Sequence, residues 1–509
     1  MHISTDDAAA QAYFNQGLQF LYGFNHPQAV MAFRAAQAID PDCAACYWGE
    51  ALAWGPNINA PMAEWSNVMA LQALGKAQAT ITGSSAKEKA LIAALAARYS
   101  AAPDADRGAL DQAYAKAMGL VTAYYPDDLN IAVMYAESLM DTQPWDYWGA
   151  DMTTPKAATA ETLAALHRVL KADPNHMGAI HLYIHITEAS TNAKWAEPYA
   201  DRLAAQAPAS GHLVHMPSHT YYRLGRYIDS LQANIDAAIA DEALIISVGD
   251  APDWDNYGGS YYPHNVHFLM TSAHMAGDAE TTLASAAKLS ALVPDEVLLS
   301  VAFTNPIKAA PYFAYLHYSE DAEVLALPAP PDNQPYVKAA WHFARGSVLA
   351  RLGDVDGART EMVGVSFIRA NANFDFLEGA GIPAGKVLAI EENILKGHIA
   401  RAQGYQDIAI AHYTEAMQLE ISLPYTEPPY WYYPVRQTLG AALVQAGRFD
   451  EAVQVFTTSL IRIPNNGWAL YGLAQAQRGL GDDKAALQTE ALLAKAWVGD
   501  AASLSLGNL

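Results

Sequence analysis

The chain has 509 residues, 52% of them hydrophobic and 16% charged, with 53 acidic against 30 basic side chains and a formal net charge of -23. So long a chain exceeds what one compact core holds, and so apolar a composition excludes extended disorder. The negative surface repels nucleic acid and anionic membranes, favours solubility and suits cationic ligands.

No uncharged apolar run reaches the roughly 18 residues of a transmembrane helix, so no membrane insertion is expected. The opening stretch Met1-His2-Ile3-Ser4-Thr5-Asp6-Asp7 lacks the basic and apolar regions of a secretion signal. It reads as a cytoplasmic start, or as a periplasmic mature form from which a signal has been removed. The first strong pattern is Ala29, Phe33, Ala36 and Pro41, spaced 4, 3 and 5 residues apart. Cys43 and Cys46 follow, the two cysteines of the chain. One C-x-x-C pair makes neither a disulfide framework nor a four-cysteine zinc site. At a helix start it reads as core packing, a redox disulfide or a pair of soft-metal ligands. Gly55-Pro56-Asn57-Ile58-Asn59-Ala60-Pro61 then interrupts the helical pattern.

Glu137 is expected on the groove face of a first helix, as a carboxylate ligand or general base. The aromatic tract Trp145 to Trp148 follows it. Nine of the 16 histidines then lie between His176 and His274. His181, His185 and Glu188 stand at i, i+4 and i+7, which is one helix face. His212, His215 and His219 stand at i, i+3 and i+7, again one face. After Gly225 comes a long loop at 249–263, rich in Gly, Asp, Tyr and Trp, with Asp253, Asp255 and Tyr257 able to close over a substrate. His264, His267 and His274 follow on one further face, ahead of Gly277. A Pro-rich break lies at Leu327 to Pro335, and Glu427 to Arg436 carries Tyr430, Trp431, Tyr432 and Tyr433 between prolines. Near the C-terminus, Ala452, Phe456, Ser459 and Pro464 repeat the first pattern, and Gly447 and Gly481 stand 34 residues apart.

That period, with small residues at a helix crossing and Pro after the second helix, resembles the tetratricopeptide (TPR) repeat. Further copies surround Arg223 to Tyr227, Ala344 to Arg359 and Ala400 to Ala416. The strings Asp40-Pro41-Asp42-Cys43-Ala44-Ala45-Cys46-Tyr47-Trp48-Gly49, Gly55 to Asn59 and Pro144 to Trp148, with the histidine segments and Tyr425 to Arg436, resemble a group of bacterial TPR-repeat proteins. The resemblance spans nearly the whole chain. It implies an all-α, TPR-like α-α superhelical solenoid and no particular activity. The repeats divide into an N-terminal array at 1–125, a histidine-rich array at 126–320 and a C-terminal array at 321–509. Each unit is two amphipathic helices that bury their apolar faces only by stacking.

With Gly225 and Gly277 at the turn position, the resemblance places His212, His215, His219, His264, His267 and His274 on the inner groove. Counting back 34 residues to Thr191 adds His181, His185 and Glu188 to that groove. Neutral imidazole is the commonest side-chain ligand for transition metals. The expected ligands of copper, zinc or iron are therefore His181, His185, His212, His215 and His219, with His264 and His267 next. Glu188, Glu137 and His274 are the candidate acid-base groups. Tyr222, Arg223, Asp253, Asp255, Tyr257, Trp145 and Trp431 are the candidates to touch a small-molecule or peptide ligand. The expected function is that of a metal-dependent hydrolase or oxidoreductase. The alternative is a TPR scaffold that binds a peptide or protein partner without turnover.

Overall fold

The computed structural model describes residues 1–248 and 257–509. The described residues are helical, apart from turns and two isolated β-bridges. They fall into two compact units. Unit 1 comprises Met1–Thr220 and Ile239–Gly259, and unit 2 comprises Tyr221–Ala238 and Ser260–Leu509. Each is an α-α solenoid in which successive helices pack as hairpins, such as Ala8–Tyr22 on His26–Ile39 in unit 1 and Gly467–Gly479 on Asp483–Ala496 in unit 2.

The hairpins stack because aromatic rings sit on glycines. Phe33, fully buried, lies between Gly17 and Gly49, where an added methyl group would sit 2.7 and 2.5 Å from its ring. Phe456 lies in the same way against Gly440 and Gly472. Both trios keep a spacing of 16 residues on each side, so the repeat seen in sequence is one packing device used twice. Tyr413 on Gly397 and Tyr22 on Gly178 use half of it. The turns fit the expected register, since Gly225, Gly277, Gly447 and Gly481 all have positive φ, between 72° and 84°.

Three local expectations need correction. Residues 257–263, expected in a loop, belong to the helix Tyr257–Ala276, which runs through Pro263. His212, His215 and His219 do not share one helix. The chain forms Gly211–His215 and then Pro217–Arg223, because Pro217 has no N–H to continue the ladder. Cys43 and Cys46 are joined in a buried disulfide across the start of helix Ala44–Ala53, so they are not a pair of thiolate ligands. No described helix is long and apolar enough to cross a membrane.

Replacing Gly49 by Ala is expected to overpack the Phe33 ring and cost about 1–3 kcal/mol in a urea or thermal melt. Gly353→Ala is its control for added bulk, since a methyl group there meets no atom within 4 Å. Its positive φ still imposes a backbone cost. Equal stability of Gly49→Ala and the parent would contradict the ring-on-glycine account.

Candidate metal centre

Helix Met177–Glu188 carries His181 and His185 one turn apart, and His212 enters from Gly211–His215. Their Nε2 atoms converge. His181 Nε2 is 3.0 Å from His185 Nε2 and 3.1 Å from His212 Nε2. Candidate ligand atoms of all three lie within 4.8 Å of one another, and all three residues are buried.

The other ring nitrogens decide what this convergence means. His181 Nδ1 is 2.6 Å from the carbonyl oxygen of Tyr22, which can only accept, so Nδ1 carries the proton. His185 Nδ1 faces the Glu188 carboxylate at 3.3 Å and donates to it. His181 Nε2 is then an acceptor, and it faces His185 Nε2 at 3.0 Å. Burial pushes His181 down to about 4, partly offset by the Tyr22 hydrogen bond, so the ring is neutral at ordinary pH. Tetrahedral ligands at about 2.0–2.1 Å from zinc stand roughly 3.3 Å apart, close to the observed spacing.

Glu188 joins this trio to a second pair. Its other oxygen is 2.6 Å from His219 Nδ1. His219 Nε2 is 2.7 Å from His215 Nε2, and Ser218 Oγ is 3.3 Å from His215 Nδ1. Glu188 therefore faces the Nδ1 atoms of two imidazoles, His185 at 3.3 Å and His219 at 2.6 Å.

Two aromatic residues flank the trio on strained backbone. Phe24 has φ 55° and lies 4.4 Å from the His181 ring, with its plane within 19° of His185 and 26° of His212. Trp145 has φ 62° and meets the His185 ring edge-on at 5.3 Å, while remaining 37% exposed. Left-handed backbone at a bulky residue costs on the order of 1–3 kcal/mol and persists only where surrounding contacts impose it. The Trp145 loop is held by Trp148 Nε1, which donates to the Ile186 carbonyl at 2.7 Å, and by Thr191 N, which donates to Met152 O at 2.9 Å. Phe24 and the Tyr22 carbonyl had no signal in the sequence. Phe24 offers no ligand atom and Tyr22 acts through its backbone, and both arrive from a helix hairpin about 160 residues earlier.

Glu137 does not join the histidines but sits beside Asp141, which pairs with Arg98 at 2.5 Å. Burial and the Asp141 charge, partly offset by Arg98, hold the Glu137 carboxyl up at about 8. Arg98 also donates to the Pro56 carbonyl at 3.0 Å and so pins the early chain break.

In unit 2, His267 Nε2 lies 3.1 Å from the Tyr432 hydroxyl, and His264 packs on Phe268 at 5.6 Å. Burial lowers these rings to about 3 and about 4. His274 packs on His317 at 4.8 Å. Tyr222 packs on Tyr227 and Phe268, and Arg223 lies over the Tyr425 ring at 5.5 Å. Trp431 is buried among Phe313, Phe343 and Tyr433. Asp253 and Asp255 lie outside the described residues, and Tyr257 is described only as the first residue of its helix.

Residues 443–502 match the tetratricopeptide repeat family model. The C-terminal segment of the chain carries tetratricopeptide repeats. No curated protein matches it in sequence. Solved structures similar to it include the human IFIT1 dimer with m7Gppp-AAAA, at 11% identity over 96% of this chain and 95% of that one, TM-score 0.34. Yeast Tom70 is similar at 12% identity over 97% and 93%, TM-score 0.31. The P58(IPK) TPR domain is similar at 14% over 94% and 99%, TM-score 0.25.

The acid pair gives a pH test. A carboxyl raised in the folded state contributes stability that is complete below its unfolded value and is lost as pH rises through the folded one. Glu137→Gln is therefore expected to gain stability relative to the parent between pH 6 and pH 9, on the order of 2 kcal/mol in urea melts. A difference that does not change with pH would show that Glu137 titrates normally.

Proposed function

We propose that this TPR protein is a metal-dependent enzyme, and that His181, His185 and His212 hold one transition metal ion. The observation that carries this reading is the convergence of three Nε2 atoms, with His181 Nε2 3.0 Å from His185 Nε2 and 3.1 Å from His212 Nε2, while His181 Nδ1 is held by the Tyr22 carbonyl and His185 Nδ1 faces Glu188. Three imidazoles leave one position of a tetrahedral ion for water or substrate, and the ion supplies Lewis acidity there. Among copper, zinc and iron, this donor set suits zinc and hydrolysis best. A non-haem iron oxygenase site would use two histidines and a carboxylate. Here Glu188 is engaged with His185 and His219 Nδ1 instead.

The chain's own groups have separate tasks in this reading. Tyr22 and Glu188 hold the rings, and Phe24 keeps water from one side of them. Trp145, half-exposed at the edge of His185, is where a small-molecule or peptide substrate approaches. The alternative is a scaffold that binds a peptide or protein without turnover. What favours it is the tetratricopeptide match at residues 443–502, a segment that contains no histidine.

Elemental analysis of untagged protein, beside a His181→Ala, His185→Ala variant, separates the two. Near-stoichiometric metal is expected in the parent, with at least a tenfold loss in the variant. A parent protein that holds no metal and takes none up from zinc, copper or iron solutions would favour the scaffold.

A further inference from the structure

Helices Gln406–Ile421 and Val435–Gln445 are joined by residues 422–434, which form no helix or strand. A later link of the same kind, residues 463–466, is far shorter. Long links without secondary structure normally run over the surface, where water satisfies their backbone. This one ends inside unit 2, with Trp431, Tyr432 and Tyr433 only 2%, 4% and 4% exposed. Prolines at 424, 428, 429 and 434 ease that burial, because each removes an N–H that would need a partner.

The aromatic side chains reach helices that lie far back in the chain. Trp431 packs on Phe313 of helix Thr304–Tyr318 and on Phe343 of helix Pro335–Arg351, both at 5.3 Å. Tyr432 packs on Phe313 at 4.8 Å and on His267 of helix Tyr257–Ala276 at 5.4 Å. Its hydroxyl donates to the Pro306 carbonyl at 3.0 Å and lies 3.1 Å from His267 Nε2. The Tyr430 hydroxyl donates to the Gly381 carbonyl at 3.4 Å.

These contacts fall on equivalent positions of the array. His267 stands ten residues before Gly277, and Phe343 stands ten before Gly353. Both glycines have positive φ, 84° and 82°, as the turn glycines of the repeat do. Neighbouring residues of the link thus seat on matching positions of two helices, and Phe313 touches both. An extended peptide bound across the array would be held in the same way, by aromatic anchors and by hydroxyls on backbone carbonyls. Without the link, the Phe313 and Phe343 rings, 5.5 Å apart, would form a bare apolar surface beside those carbonyls. A segment tethered at both ends outcompetes a free peptide of the same chemistry, because tethering raises its effective concentration.

We propose that residues 422–434 are an autoinhibitory strap, a built-in ligand that closes a surface of unit 2 able to bind an extended peptide with adjacent aromatic residues. The proposal does not rest on the metal reading of unit 1.

The test is fluorescence anisotropy with a labelled synthetic peptide of residues 424–436, added to the full-length protein. The parent is compared with a variant whose residues 424–433 are replaced by a Gly/Ser linker of equal length, and with Tyr432→Phe. The linker variant decides the matter if its far-UV circular dichroism and thermal melt show a folded protein. If it does not fold, Tyr432→Phe decides, since it keeps every ring and loses only the bonds to Pro306 and His267. The expected result is peptide binding to the deciding variant at least tenfold tighter than to the parent. Binding by that variant no tighter than by the parent would overturn the proposal.

Discussion

The contact of an aromatic ring with a facing glycine sets how closely the helices of this chain approach, and the candidate centre depends on it. Gly17 and Gly49 hold Phe33, and Gly440 and Gly472 hold Phe456. In each trio the missing side chain makes room for a ring, and the ring supplies apolar area that two amphipathic helices cannot bury alone. Tyr22 on Gly178 is the same contact between helices far apart in sequence, Ala8–Tyr22 and Met177–Glu188. It brings the Tyr22 carbonyl to His181 Nδ1, and with it Phe24 onto the faces of three histidines. A packing rule of the repeat thus becomes a chemical constraint on a ring.

That constraint explains why the histidines are buried rather than spread along an open surface. A neutral imidazole is inexpensive to bury when one nitrogen has an acceptor, and His181 and His185 each have one. The cost falls on the other nitrogens, which face one another. In ordinary cores such nitrogens find donors, because a buried polar atom without a partner is penalised. Here the Nε2 atoms of His185 and His212 lie 3.0 and 3.1 Å from that of His181, and the proposed metal site rests on that convergence. Strain follows the same logic. Phe24 and Trp145 both hold left-handed backbone beside these rings, and the surrounding hydrogen bonds and stacking sustain it.

The fold was legible because it repeats. Ala29, Phe33, Ala36 and Pro41 recur as Ala452, Phe456, Ser459 and Pro464, and the turn glycines at 225 and 277 take the backbone that only glycine adopts freely. The site was legible in part. The i, i+4 spacing of His181 and His185 put both on one face, and their Nε2 atoms do meet. What the spacing could not carry was the partition of the histidines. Pro217 breaks the helix that would have held His212, His215 and His219 together, so His212 joins one group and His219 another. The role of Glu188 was hidden as well. As a residue type it reads as ligand or base, and the spacing gave no sign that its two oxygens face the Nδ1 atoms of His185 and His219. Tyr22 acts through its backbone, which no side-chain pattern reveals.

The most direct measurement is an anomalous-difference map from crystals of the untagged protein grown with zinc. A single strong peak within bonding distance of the Nε2 atoms of His181, His185 and His212, with their Nδ1 atoms still on Tyr22 and Glu188, is the result this account predicts. No peak there, with the three rings turned to hydrogen-bond one another, would contradict it.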